Sequence, residues 1–171
     1  MLKQQIAERL EQAFSQHGFA QPSVSQLKTE CDVSLRTLYK HFPSKEAMIV
    51  GALEFRHQRY LKLLADNPHP AGLDAVEFAF EQLKTWMVEY APNGCMSVNA
   101  MAAFPDNELI NQAVKKHKLE VKDKLGNLAG NEPLAASLYL LHEGVSSAWA
   151  VLGDQAIISA KMTLKQLIKD S

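Results

Sequence analysis

The sequence has little of what would mark it as secreted, membrane-spanning or catalytic. Cysteine occurs only twice in 171 residues, at Cys31 and Cys95, which excludes a disulfide framework. Both read as buried or half-buried thiols that pack like small hydrophobes. A thiol redox sensor is the rival reading. No apolar run approaches the ~20 residues of a membrane span. Met1-Leu2-Lys3-Gln4-Gln5 enters an amphipathic helix without a signal peptide's basic start and apolar stretch. The expectation is a soluble, cytoplasmic protein with no membrane partner. The six histidines are scattered, without H-E-x-x-H spacing or paired cysteines, and no phosphate loop or nucleophile motif is present. His117 and Glu120 share a helix face, but two groups rarely hold a metal. No enzyme, metal or cofactor is expected. Charge of one sign is lacking too: the formal net charge is −1, which argues against wholesale nucleic-acid binding.

What is present is ordinary globular material, 47% hydrophobic and 22% charged, enough for one sizeable core or a small head on a larger body. The distribution of charge says more than its total. From Leu35 to Glu46 the cations Arg36, Lys40 and Lys45 face only Glu46, a local excess of +2 before His41 is counted. Such a patch suits a site-specific binder using few phosphate contacts.

That patch lies in the most structured stretch, Ser23 to Ile49. Ser23 with Gln26 three residues on forms a capping-box pattern, and Val24, Leu27 and Cys31 fall on one helical face. Asp32 tolerates the backbone of a tight turn. Ser34 caps a second short helix, Leu35 to His41, whose Leu38 and Phe42 face inward while Arg36 and Lys40 share another face. Two short helices joined by a tight turn have helix-turn-helix geometry, whose second helix enters the DNA major groove.

The run Ser25-x-Leu27 … Val33-Ser34-x-x-Thr37-Leu38-Tyr39-x-His41-Phe42-x-Ser44-Lys45-Glu46 resembles the signature of the TetR/AcrR family of transcriptional regulators, closely over residues 1–50 and loosely beyond. Two departures stand out. Cys31-Asp32 replaces the usual Ala-Gly before Val-Ser, and Arg36 replaces a frequent Gly before Thr-Leu-Tyr. The second puts a long cation on the recognition helix and should change the sequence that is read. Arg36 is the expected base reader, since Arg can bond guanine O6 and N7 together. Leu35, Thr37, Tyr39, Lys40 and His41 are expected at bases or phosphates. Tyr39 and Lys45 resemble the family's backbone clamps, and Ser23, Ser25 and Ser34 could add hydroxyl or amide contacts. Contacts from a basic arm ahead of the first helix are expected to be small or absent.

The remaining chain reads as helices. Residues 2–17 carry Ile6, Leu10, Ala13 and Phe14 on one side, with Glu8 and Glu11 elsewhere. A long helix at about 45–64, capped by Ser44, has Arg56, Arg59 and Lys62 as its expected solvated face. Asp66-Asn67-Pro68-His69-Pro70 breaks the chain. A helix follows at about 71–91, apolar on more than one side and so expected to be interior, and ended by Ala91-Pro92-Asn93-Gly94. Another, at about 106–126, is capped by Asp106, has its lysines Lys115, Lys116, Lys118, Lys122 and Lys124 outward, and gives way to a loop from Gly126 to Pro133. Residues 133–152 place Leu134, Leu138, Leu141, Val145, Ala148 and Leu152 in a helix–helix seam, and 154–169 form a last helix. The Gly94-Cys95 segment looks like the one many family members carry before a pocket-lining helix.

The fold expected is all-α: a three-helix head with the helix-turn-helix (1–47) and a helical effector-binding and dimerisation body (48–171). The resemblance implies a homodimer through 133–152 and 154–169, a palindromic double-stranded DNA operator, and a small, mostly apolar effector. Trp86, Met87, Tyr90, Met96, Met101, Phe104, Tyr139, His142 and Trp149 are the candidate pocket residues. The function expected is a one-component regulator, a repressor by preference. The alternatives are a helical adaptor with a vestigial helix-turn-helix and a thiol-based redox regulator.

Overall fold

A computed structural model describes residues 1–91 and 94–169. Every regular element among them is helical. The order is α1 (Leu2–His17), α2 (Val24–Glu30), α3 (Leu35–His41), α4 (Lys45–Ala65), α5 (Leu73–Glu89), α6 (Met96–Ala103) and α7 (Glu108–Ala129). A 3-10 turn (Glu132–Leu134) leads into α8 (Ala135–Leu152) and α9 (Asp154–Lys169). Pro92 and Asn93, expected to help end α5, lie outside the described residues.

The chain forms two compact units, Met1–Arg59 with Met96–His117, and Tyr60–Cys95 with Lys118–Ser171. In the first, Leu10 and Phe14 of α1 meet Leu27, Leu38, Phe42 and Leu53, and α6 and α7 add Met96, Ala100, Ile110 and Val114 to the same core. Glu11 does not face water as its pattern predicts. It is buried in α1, where its carboxylate accepts from Arg56 at 2.5 Å and Arg59 at 3.0 Å. Arg56, expected on a solvated face, is buried with it. A buried charge is tolerable only when paired, so this ion cluster ties α1 to α4.

In the second unit α5, α8 and α9 pack on one another. Phe80 and Leu83, Leu138 and Val145, and Ile157, Ala160 and Leu164 share its core. Much of the leucine seam of α8 is therefore used inside the chain. Val88 departs from the expected interior helix and is exposed. Gly126 does not end α7: it is a close-approach glycine, and a Cβ there would come within 2.7 Å of the Ala135 Cβ. The reversal comes at Gly130, at φ 65°. At the other end the cap is Asn107 rather than Asp106, because its Oδ1 accepts the Ile110 N–H at 3.1 Å.

Candidate nucleic-acid interface

The short helices α2 and α3 are held by their caps. The Ser23 N–H donates to Gln26 Oε1 at 2.8 Å and the Gln26 N–H to Ser23 Oγ at 3.2 Å, a complete capping box. Ser34 Oγ accepts the Thr37 N–H at 3.0 Å and lies 2.8 Å from the Thr37 hydroxyl. The turn between them passes through Asp32 at φ 51°, a left-handed backbone that a short polar residue tolerates. Arg9 of α1 fixes this turn: its guanidinium donates to the Cys31 carbonyl at 2.9 Å and sits 3.6 Å from the Asp32 carboxylate. Arg9 carries no sequence signal for this role, since its partners lie 22 residues and more away.

With its caps satisfied, α3 turns Leu38 into the core and Phe42 after it. That leaves Leu35, Arg36, Tyr39 and Lys40 exposed together, with Thr37 and His41 half-buried at the edges. Arg36 and Lys40 make no hydrogen bond or ion pair with any described residue, so both cations are available to a partner. Lys45 differs. Its ammonium donates to the Ala20 carbonyl at 3.1 Å, and desolvation pulls its pKa below the usual lysine value. Ser44 caps α4 by accepting the Ala47 N–H at 3.1 Å. Ser25 is exposed on α2, and its carbonyl accepts from Thr29.

The nine candidate pocket residues fall into both units. Met96, Met101 and Phe104 belong to the first, with Met96 in its core, Phe104 packed against it and Met101 exposed. The other six belong to the second. There Trp86 lies 5.0 Å from the Tyr60 ring and 5.0 Å from that of Tyr90. Met87 is in the core, and Tyr139 and Trp149 pack against it. His142 is buried beside a polar group that sequence reasoning missed. Lys118, expected on an outer face, instead donates to both Glu143 oxygens at 2.8 and 2.7 Å and to Cys95 Sγ at 3.4 Å. Burial alone would raise the Glu143 pKa, but His142 and Lys118 hold it below the usual carboxylate range. His117 pairs with Glu54 at 2.7 Å rather than with Glu120 as a metal pair. No group of three or more possible metal ligands occurs among the described residues. Burial pushes the Cys31 thiol up to about 11, well away from the thiolate a redox sensor needs.

A capped pair of short helices whose second presents unpaired cations and an exposed tyrosine defines the helix-turn-helix class of DNA-binding proteins. Residues 6–52 match the sequence profile of bacterial regulatory proteins of the tetR family. Over 156 residues it is 27% identical to the HTH-type transcriptional regulator YuxN of Bacillus subtilis, covering 84% of this chain. The chain spans about half (52%) of that relative's length. The fold matches that of a TetR-family transcriptional regulator of Streptomyces coelicolor, SCO4454, with a TM-score of 0.85 at 18% identity, covering 99% of this chain and 95% of that one. It also matches the reduced form of Escherichia coli NemR, with a TM-score of 0.79 at 23% identity, covering 96% and 95%. No described helix is long and apolar enough to cross a membrane.

Proposed function

We propose that the protein is a ligand-responsive transcriptional regulator, a repressor by preference, that binds a palindromic operator as a homodimer. The outward face of α3 carries this reading. Arg36 is the base reader, with a guanidinium able to bond guanine O6 and N7 together, and Lys40, Tyr39 and Lys45 supply backbone contacts. Residues 1–47 bind DNA, and 48–171 bind the effector and the second subunit.

The dimer face is supported by an exposed apolar row. On α8, Leu140 is 70% exposed and Val151 85%, and Gly144 between them has nothing within 4 Å of where a Cβ would stand. On α9, Ile158 and Met162 are exposed as well. Exposed apolar side chains in such a row suit a site of association, and a two-fold pair of such helix hairpins closes a four-helix interface.

Two heads reach successive major grooves about 34 Å apart. An effector that prefers a body conformation with mismatched heads weakens DNA binding by linkage. Sequencing the random duplex DNA retained by the purified protein tests the reading. A single palindromic motif supports a dimeric regulator; retention without an enriched motif favours the adaptor reading.

A further inference from the structure

The first compact unit holds a groove that the exposed face of α3 does not use. It is lined from α1, the turn after α3, α4 and the start of α7, and has a volume of about 660 Å³. That lies within the ~300–1,000 Å³ of small-molecule sites. Phe42, Val50, Phe55 and Leu109 give it apolar walls, Lys3 and Glu54 are its charged side chains, and the Met1 N-terminus stands at its edge.

The two charged side chains are held differently. The Glu54 carboxylate accepts from Gln58 Nε2 at 2.8 Å and from His117 Nε2 at 2.7 Å. Burial works to raise its pKa, yet these bonds hold it below the ordinary carboxylate range, so it stands as a fixed anion in the wall. Lys3 has no ion-pair partner among the described residues. Its ammonium lies 5.6 Å from the centroid of the Phe42 ring, the geometry of a cation–π contact. The ring face thus already receives a cation, carried on a flexible surface side chain. A fixed carboxylate and a cation-accepting ring among apolar walls complement an organic cation with an apolar body.

We propose that this groove is a binding site for lipophilic organic cations. The cationic centre displaces Lys3 and is drawn to Phe42 and Glu54, while the apolar body lies along Val50, Phe55 and Leu109. Phe42 ends α3, and its ring is seated against α4 because Gly51 has no Cβ to obstruct it. A ligand leaning on that ring presses directly on the proposed recognition helix. The groove uses none of the nine candidate pocket residues.

Calorimetric titration of the full chain with dodecyltrimethylammonium, below its micellar range and with dodecanoate as the matched anion, tests this. The cation is expected to bind, about tenfold more weakly to Glu54→Gln, a loss equivalent to one 1.4 kcal/mol step. Lys3→Ala, an exposed change that leaves the fold alone, should tighten it by removing the resident cation. No binding of the cation, or equal affinity in wild type, Glu54→Gln and Lys3→Ala, overturns the proposal. So does preferential dodecanoate binding that Lys3→Ala abolishes, which would make the groove an anion site. Should Glu54→Gln fail to fold, unchanged affinity in Lys3→Ala alone is enough to overturn it.

Discussion

The Tyr60 hydroxyl and His142 Nε2 lie 2.5 Å apart in the core of the second unit, joined across 82 residues of sequence. The direction of the bond follows from its neighbours. Glu143 is held ionised and can only accept, so the His142 Nδ1–H, 3.3 Å from Oε1, is the donor to it. Desolvation keeps His142 neutral, below the ordinary histidine value of 6.5, which leaves Nε2 to accept from Tyr60. Burial in turn pushes the Tyr60 phenol well above its usual range and keeps it protonated.

Stability should therefore fall on acidification. The folded state resists protonating His142, while the unfolded chain takes that proton once pH drops below about 6.5. Glu143, also depressed, adds stability that is present above about 4.5 and lost as pH falls further. Thermal melts from pH 8 to pH 4 should show Tm declining from near 6.5. In His142→Gln the fall between pH 7 and 5 should shrink. A Tm that rises over that interval in wild type would contradict the assignment.

Glu11 is the carboxylate shared by Arg56 and Arg59. Removing one member of a buried ion cluster costs ~3–5 kcal/mol. Glu11→Ala should lose about that much in urea unfolding, whereas the neighbouring exposed Gln12→Ala should stay within ~0.5 kcal/mol of wild type. Equal, small effects would place Glu11 outside the core.

Glycine in the middle of a helix normally gains ~1 kcal/mol on replacement by alanine. At Gly51 the sign should reverse, because a Cβ there runs into the Phe42 ring, which is itself buried. Gly51→Ala is expected to lower Tm and to weaken DNA binding with it. A higher Tm would mean that Phe42 is free to move aside.

The exposed row on α8 gives the dimer proposal its test. Leu140→Asp and Val151→Asp place charges on side chains that make little core contact within one chain. Light scattering should report a dimer for wild type and a monomer for the double variant, with the helical circular-dichroism signal retained. A dimer that survives both changes puts the interface elsewhere.

How far these features were legible in the sequence depended on how local their causes are. The helix Leu35–His41 was readable to the residue because its cap, Ser34, and its inward pair, Leu38 and Phe42, lie within eight positions. The burial of Glu11 and Arg56 was not, because the pairing that makes it tolerable spans 45 residues of sequence. Lys118 was hidden for the same reason: interleaved charges on α7 read as a solvated face until Glu143, 25 residues on, supplies an acceptor. Gly126 misled because a glycine chosen for close approach looks in sequence like one chosen for a turn. On the proposed DNA face the cations were visible, but not that Lys45 already has a partner in the Ala20 carbonyl.

The central claim is that α3 reads base sequence through Arg36, and one comparison tests it directly. Affinities of wild type and Arg36→Ala are measured on the selected operator and on random duplex, at several salt concentrations. Loss of a bidentate base contact should cost ~1–3 kcal/mol on the operator and much less on random DNA, so that sequence preference collapses. Equal losses on both DNAs, tracked by an equal fall in salt dependence, would make Arg36 a phosphate contact and contradict the account.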